Sequence, residues 1–261
     1  MHAYMLACMA IVAVASNKGG VGKTTLAVEL AYALGAILVD LDHDDGGATA
    51  SWNAVGTLGP EYSRRSLLEG DGPGPRILTR EGLPALIPAH PDYGAAVLQH
   101  EYVAARLQAW AERFAPRDFV IDTHPGFNAF SLGAMSVAHT TLVPVLLAER
   151  ELTAFAGLLR EFSGYPLASV PYRVPRWGDY QQASAASLHE RWREMASDAG
   201  VRLGPTISEW REWPRRKSHR ALLAAGNPGE WVVLAQRELR DVAKWLKELN
   251  REAAPVSKSV G

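Results

Sequence analysis

Lys18 and Lys23 stand five residues apart in KGGVGKTT, residues 18–25, with three glycines between them. Glycines at that spacing leave backbone N–H groups open to an approaching oxyanion. The apolar run AIVAVAS precedes the loop, and a helical pattern from Lys23 to Leu34 follows it. Strand, glycine-rich loop and helix together form the setting in which amides and a helix N-terminus bind phosphate. There Gly19, Gly20, Val21 and Gly22 make the cradle, Lys23 meets the outer phosphates and Thr24 offers its hydroxyl to Mg²⁺. Asn17 stands where the common form of such a loop has its first glycine, and Lys18 is an additional cation. Carboxylates that could serve the Mg²⁺ close two apolar runs: Asp40 and Asp42 end AILVDLD, and Asp122 ends DFVID. Ligands of open α/β sheets sit beyond the C-terminal ends of the strands, which turns all three acids toward the loop. A strand-end Asp can also be a plain turn or capping residue; the neighbouring loop favours the metal role for Asp40 and Asp122.

The rest of the chain supplies elements to hold these groups. LPALIPA (83–89), TTLVPVL (140–146) and LASVPYRV (167–174, interrupted by Pro171) read as further strands. Helical patterns run over residues 92–114 as one long amphipathic helix, then around 127–137, 151–162, 184–199, 215–225 and 231–250. Residues 56–75 read as an irregular, Gly/Pro-rich excursion. Strands alternating with helices predict a single-domain α/β fold, a mostly parallel twisted sheet with helices on both faces. The domain is expected over residues 1–252, with 253–261 as a tail.

Composition bounds the function. The 261 residues carry a formal net charge of -1, so the surface as a whole does not attract nucleic acid, and only a local basic patch could. One cysteine, Cys8, leaves no disulfide framework and no support for a structural zinc site. The apolar N-terminus is too short to span a bilayer and runs straight into the loop.

KGGVGKTT, ILVDLDHDDGGAT, LIPA, FVIDTHPG and LVPV follow one another in an order that resembles the ParA-type partition ATPases of the deviant-Walker, ParA/MinD group. The resemblance implies a P-loop ATPase that uses ATP/ADP and Mg²⁺. It implies that Lys18 crosses the interface of an ATP-sandwich homodimer to the partner's nucleotide while Lys23 serves its own. By the same likeness Asp42 orients or activates the attacking water, Asp40 lies near the Mg²⁺ shell and Asp122 is the second Mg²⁺-associated acid. Thr25 matches the α-phosphate contact and Gly126 the flexible glycine near the γ-phosphate. His43 and Asp44 replace the usual Pro-Gln after the Asp42 position, and His124 replaces the usual Pro or Ala. A structural or solvent-facing role is expected for both histidines, since a catalytic one needs geometry first.

WREWPRRKSHRALLAAG, residues 210–226, gathers Arg211, Arg215, Arg216, Lys217 and Arg220 beside Trp210 and Trp213. By itself this is a solvated helix face as readily as a binding patch. The resemblance tips it to nonspecific double-stranded DNA, bound in the ATP state, with a ParB-like centromere-binding partner stimulating hydrolysis and the protein located in the cytoplasm on the nucleoid. Because the loop starts near residue 17, no N-terminal operator-binding domain is expected. A MinD-like or other cargo-positioning switch and an ATP-dependent amidoligase of the same group are the alternatives. The cysteine count excludes cluster-bridging relatives. The acids among the cations of the last helix favour a core-packed helix over a membrane anchor.

Overall fold

The computed structural model describes residues 9–43, 47–52, 67–69, 74–176, 179–210, 220–226 and 229–253. Its centre is an eight-stranded sheet: β1 (Ile11–Val14), β2 (Ile37–Asp40), β3 (Ala85–Ile87), β4 (Phe119–Asp122), β5 (Thr140–Leu146), β6 (Leu167–Val174), β7 (Arg202–Leu203) and β8 (Ile207–Ser208). The order is β3-β2-β4-β1-β5-β6-β7, with β8 on β6, and every pair is parallel. The first four strands are apolar, save that β2 and β4 close on Asp40 and Asp122, because both their faces are covered.

Alternation along the strands divides the core. Val12, Val14, Leu38, Val120, Leu142 and Val170 face α1 (Lys23–Leu34) and α7 (Glu230–Ala253). Ile11, Ala13, Val39 and Ile121 face α3 (His100–Phe114) and α4 (Ala129–Val137), while Val143 and Val145 face α5 (Glu149–Glu161) and α6 (Asp179–Asp198). A short α2 (Ala48–Ser51) follows β2. Helix α1 ends on Gly35 in the left-handed region (φ 66), where its N–H meets Tyr32 O and that of Ala36 meets Ala31 O, closing the last turn. Asn128 opens α4 by accepting from Ser131 N at 3.0 Å.

Two sequence expectations are corrected. The single helix over 92–114 is a 3-10 turn at Pro91–Ala95 followed by α3, with Ala96 and Gln99 extended between them. Tertiary packing wins there: Tyr93 is buried, and the ring of His43 lies where a Cβ on Gly94 would stand. Strand β6 runs through Pro171 and becomes irregular only at Arg173, whose φ is 54. The two-residue strands β7 and β8 are too short to leave a periodic signal. The helix read over 215–225 falls largely outside the described residues; its described end is a 3-10 turn, Leu222–Ala224. The excursion over 56–75 also lies mostly outside them. The apolar stripe of α7 is core: Ala235, Leu239, Val242 and Leu246 are buried. No described helix is long and apolar enough to cross a membrane.

The tightest helix contact sets the first prediction. A Cβ on Gly133 of α4 would lie 2.6 Å from Val103 Cβ and 2.8 Å from the His100 carbonyl oxygen of α3, and backbone cannot give way cheaply. Gly133→Ala should destabilise the fold by about 1–3 kcal/mol through overpacking. Urea unfolding checks this, and a variant as stable as the parent would show that the two helices slide apart freely.

Candidate nucleotide site

The loop between β1 and α1 is held open from below. Ser16 Oγ donates to Lys18 O at 2.9 Å and accepts from Lys18 N at 3.1 Å, a local turn that fixes the loop's entry. Gly20 and Gly22 take φ of 75 and 94, and at Gly22 a Cβ would lie 2.4 Å from the ring of Tyr172. Only glycine fits there. Gly19, Gly20 and Asn17 are exposed, whereas Val21 anchors the loop in the interior. Lys23 is 5% exposed and donates to Lys18 O at 3.2 Å, so its ammonium lies under the loop. Burial lowers its pKa, while Asp122 and Asp42 pull it back up. Thr24 and Thr25, in the first turn of α1, are half-buried.

The carboxylates stand beside it. Strands β2 and β4 are neighbours in a register that pairs Asp40 with Asp122. Asp40 is the better anchored: Oδ1 accepts from Asp42 N at 3.0 Å, and Oδ2 accepts from Thr49 N and Thr49 Oγ1, both at 2.6 Å. Burial still pushes its pKa up to about 7, against those hydrogen bonds. Asp122 is fully buried, and burial followed by the charge of Asp40 raises it well above the ordinary carboxylate range. The Thr24 side chain pulls the other way, yet neither Asp122 oxygen completes a hydrogen bond of normal geometry. Asp42 is 7% exposed and close enough to act on Lys23, Asp40 and Asp122.

A buried carboxylate whose oxygens complete no hydrogen bond of normal geometry has the chemistry to bind a cation. Among the described residues no three His, Cys, Asp or Glu side chains converge to hold a metal by themselves. A cation here would therefore rest on one or two carboxylates, Thr24, waters and phosphate oxygens, which is how Mg²⁺ binds. Asp122 fits that role directly; Asp40, with three hydrogen bonds already accepted, fits it through water.

This geometry is accompanied by likeness to known proteins. Residues 12–49 match the model of the CobQ/CobB/MinD/ParA nucleotide binding domain. The matched segment spans β1, the glycine-rich loop, α1 and β2, the elements that carry Lys18, Lys23, Asp40 and Asp42. It is 33% identical over 154 residues to the chromosome-partitioning ATPase Soj of Thermus thermophilus, a match that spans 57% of this chain and 59% of that relative, less than two thirds of its length. Apo McdA from Cyanothece has the same fold, with a TM-score of 0.70 at 19% identity over 92% of this chain and 99% of the other. So does the MinD cell division protein of Aquifex aeolicus, with a TM-score of 0.70 at 18% identity over 92% and 97%.

The remaining motif residues divide. The Lys18 ammonium meets Glu151 Oε1 of α5 at 2.8 Å, at the surface and away from the buried position of Lys23. Gly126, at φ 83, donates its N–H to Ser16 O at 3.2 Å and so ties the loop after β4 to the phosphate loop. Arg211, Arg215, Arg216, Lys217, Trp213 and Asp44 lie outside the described residues. Arg220 is exposed, packs its stem over Gly82 and pairs with Glu81 at 3.2 Å. Trp210 is core: it is 6% exposed, donates to Glu238 at 3.1 Å and lies under Arg176 at 4.1 Å.

Sequence reasoning missed four residues that shape the site. Thr49 clamps Asp40, Tyr172 backs Gly22, Glu151 holds Lys18, and Glu29 of α1 is buried with its carboxylate accepting from Leu222 N at 2.5 Å and Leu223 N at 3.2 Å. Glu29 did carry a signal, as an acid within the apolar run LAVELAYAL.

The raised carboxylates fix a pH dependence. Between the ordinary value of 3.8 and the raised values, about 7 for Asp40, the folded chain binds more protons than the unfolded one. Stability of the ligand-free protein therefore falls as pH rises through that window. Asp122→Asn removes the second buried charge, so its stability relative to the parent should be greater at about pH 8 than at about pH 5. Urea unfolding without divalent cations reads this, and a difference that does not change with pH would contradict it.

Proposed function

We propose that this chain is an ATP-hydrolysing positioning switch of the ParA type, whose ATP-bound homodimer holds DNA and releases it on hydrolysis. The observation that supports this best is the meeting of a buried loop lysine, Lys23, with Asp42 and the orphaned carboxylate of Asp122 at the ends of adjacent strands. On this reading residues 1–252 form the ATPase unit. The described part of that unit includes α7, which extends to Ala253, the first residue of the expected tail.

The chemistry follows from the charges. The amides of Gly19 to Thr25 take the phosphates, and Lys23 neutralises the outer ones. Thr24, Asp122 and, through water, Asp40 would hold Mg²⁺, which would supply positive charge beside the phosphates. Asp42 orients a water so that its oxygen attacks the γ-phosphorus; the bond from that phosphorus to the β–γ bridging oxygen breaks, giving ADP and phosphate, and Asp42 accepts the water's proton. Lys18 exchanges Glu151 for the partner's nucleotide when two copies meet, and Gly126 lets the loop after β4 close on the γ-phosphate.

DNA binding needs a basic surface. Besides the residues around 211–220, Arg237, Arg240, Lys244, Lys247 and Arg251 follow one another along α7 at alternating steps of three and four, which places them on one face. Arg240, Lys244 and Lys247 line a groove of about 470 Å³ with Tyr32 of α1. Among the described residues Lys244 and Lys247 form no ion pair, which leaves them to solvent or to phosphates. A ParB-like partner stimulating hydrolysis completes the proposed cycle in a nucleoid-associated protein.

Two predictions test the reading. Lys23→Ala should abolish Mg²⁺-ATP binding, whereas Asp42→Ala should bind ATP, lose turnover and accumulate as a dimer. Adding Lys18→Ala to Asp42→Ala should leave ADP affinity within about threefold yet keep the protein monomeric. Light scattering with ATP decides this: a stable dimer of the double variant removes the role across the interface, and wild-type turnover in Asp42→Ala removes the water-orienting role.

The second prediction concerns DNA. Affinity for duplex DNA should require ATP, be indifferent to sequence and fall with salt at a log–log slope of about 0.9 per phosphate neutralised. Reversing Lys244 and Lys247 to Glu should lessen that slope by about two per protomer while sparing ATP-dependent dimerisation. A fluorescence anisotropy titration at several salt concentrations reads both, and an unchanged slope would assign the contacts to other residues.

A further inference from the structure

Two histidines meet beside the acids of the nucleotide site. His43 follows Asp42, and His124 comes two residues after Asp122. Because β2 and β4 pair Asp40 with Asp122, the segments leaving the two strands run side by side. Their rings stack with centroids 4.6 Å apart and planes 6° from parallel.

Each histidine makes further contacts as well. The His43 ring lies on Gly94, so close that a Cβ there would be 2.7 Å from its Cδ2. The Nδ1 of His124 lies 2.6 Å from Pro125 O, and the His124 carbonyl accepts from Ser131 Oγ of α4 at 3.1 Å. The stack thus joins the segment that carries Asp42 to the segment that carries Gly126, which is itself bonded to Ser16 of the phosphate loop.

We infer that His43 and His124 are positioning residues that hold the Asp42 carboxylate in register with the γ-phosphate loop. The inference rests on the hydrolytic reading of Asp42. It assigns the two rings a mechanical role that needs an aromatic face and not a proton. The geometry favours that role: the contact is ring on ring, and it couples the backbone on either side of the attack position. A stacked pair contributes roughly 0.5–1.5 kcal/mol, so releasing it should cost about twofold to tenfold in turnover if all of it serves alignment.

The experiment measures kcat and KM for ATP, with ATP affinity as the check on folding. It uses the parent, His43→Ala, His124→Ala, the double alanine variant, His43→Phe and Asp42→Ala. Either alanine should lower kcat several-fold with ATP affinity unchanged. The double variant should lose no more than the worse single one, because one contact is lost in each. His43→Phe, which keeps a flat ring and no ring nitrogen, should recover most of the rate.

Additive losses, a failure of Phe to recover the rate, or alanine variants with parental kcat would each overturn the positioning role. Those results leave the hydrolytic reading standing as long as Asp42→Ala is inactive. An active Asp42→Ala, or a parent without turnover, overturns that reading and this inference with it.

Discussion

Three carboxylates and one ammonium are buried together at the ends of two neighbouring strands, and that imbalance of charge governs the site. Asp40, Asp42 and Asp122 together with Lys23 sum to net negative charge when all are ionised. Burial raises both Asp40 and Asp122, and the register of β2 with β4 keeps them adjacent. Such an arrangement costs stability, and a bound cation would relieve it. The sheet core bears that cost: Val12, Val14, Leu38, Val39, Val120 and Ile121 are all buried around it. The hydrogen bonds to Asp40 from Thr49 and from Asp42 N are then partial compensation that also shapes the Asp42 backbone.

Most of this was legible because it depends on patterns that act locally. Lys23–Leu34 and Thr140–Leu146 match their predicted bounds, since a loop glycine starts the first and a continuous apolar run defines the second. The acids at Asp40 and Asp122 were legible because strand ends are where an open sheet presents ligand groups. What was not legible depended on contacts distant in the chain. The break between Ala95 and His100 is imposed by His43 against Gly94 and by Tyr93 on Phe130, whose ring centroids are 5.4 Å apart. Trp210 sits among cations in the sequence yet is held in the core by Glu238, on α7. The stacked histidines could be read only as departures, because nothing in the spacing of residues 43 and 124 shows that their rings meet.

Helix α1 brings the two surfaces of the proposed cycle together. Its first turn carries Lys23, Thr24 and Thr25; one turn later Glu29 takes the backbone N–H groups of Leu222 and Leu223; at its end Tyr32 lines the basic groove with α7. A buried carboxylate bonded to two amides is a stiff link, because breaking it strands a charge in the interior. The segment that follows the arginine-rich stretch is therefore tied to the same helix whose first turn carries Lys23 and Thr24.

The strength of the Lys18–Glu151 pair decides how such a switch can work. Its side chains are 39% and 23% exposed, so it belongs with pairs worth about 1 kcal/mol or less. A buried pair would hold Lys18 so firmly that exchanging partners would cost much of the energy of association. An exposed one keeps the lysine's long side chain ordered near the phosphate loop and yields readily. On the proposed reading Lys18, the first lysine of KGGVGKTT, is then paired in both states, with its own α5 when the chain is alone and with the partner's phosphates when it is not. Glu151 is the residue left to find a new contact, and its place in the first turn of α5, where a helix favours an acid, lets it remain charged without one.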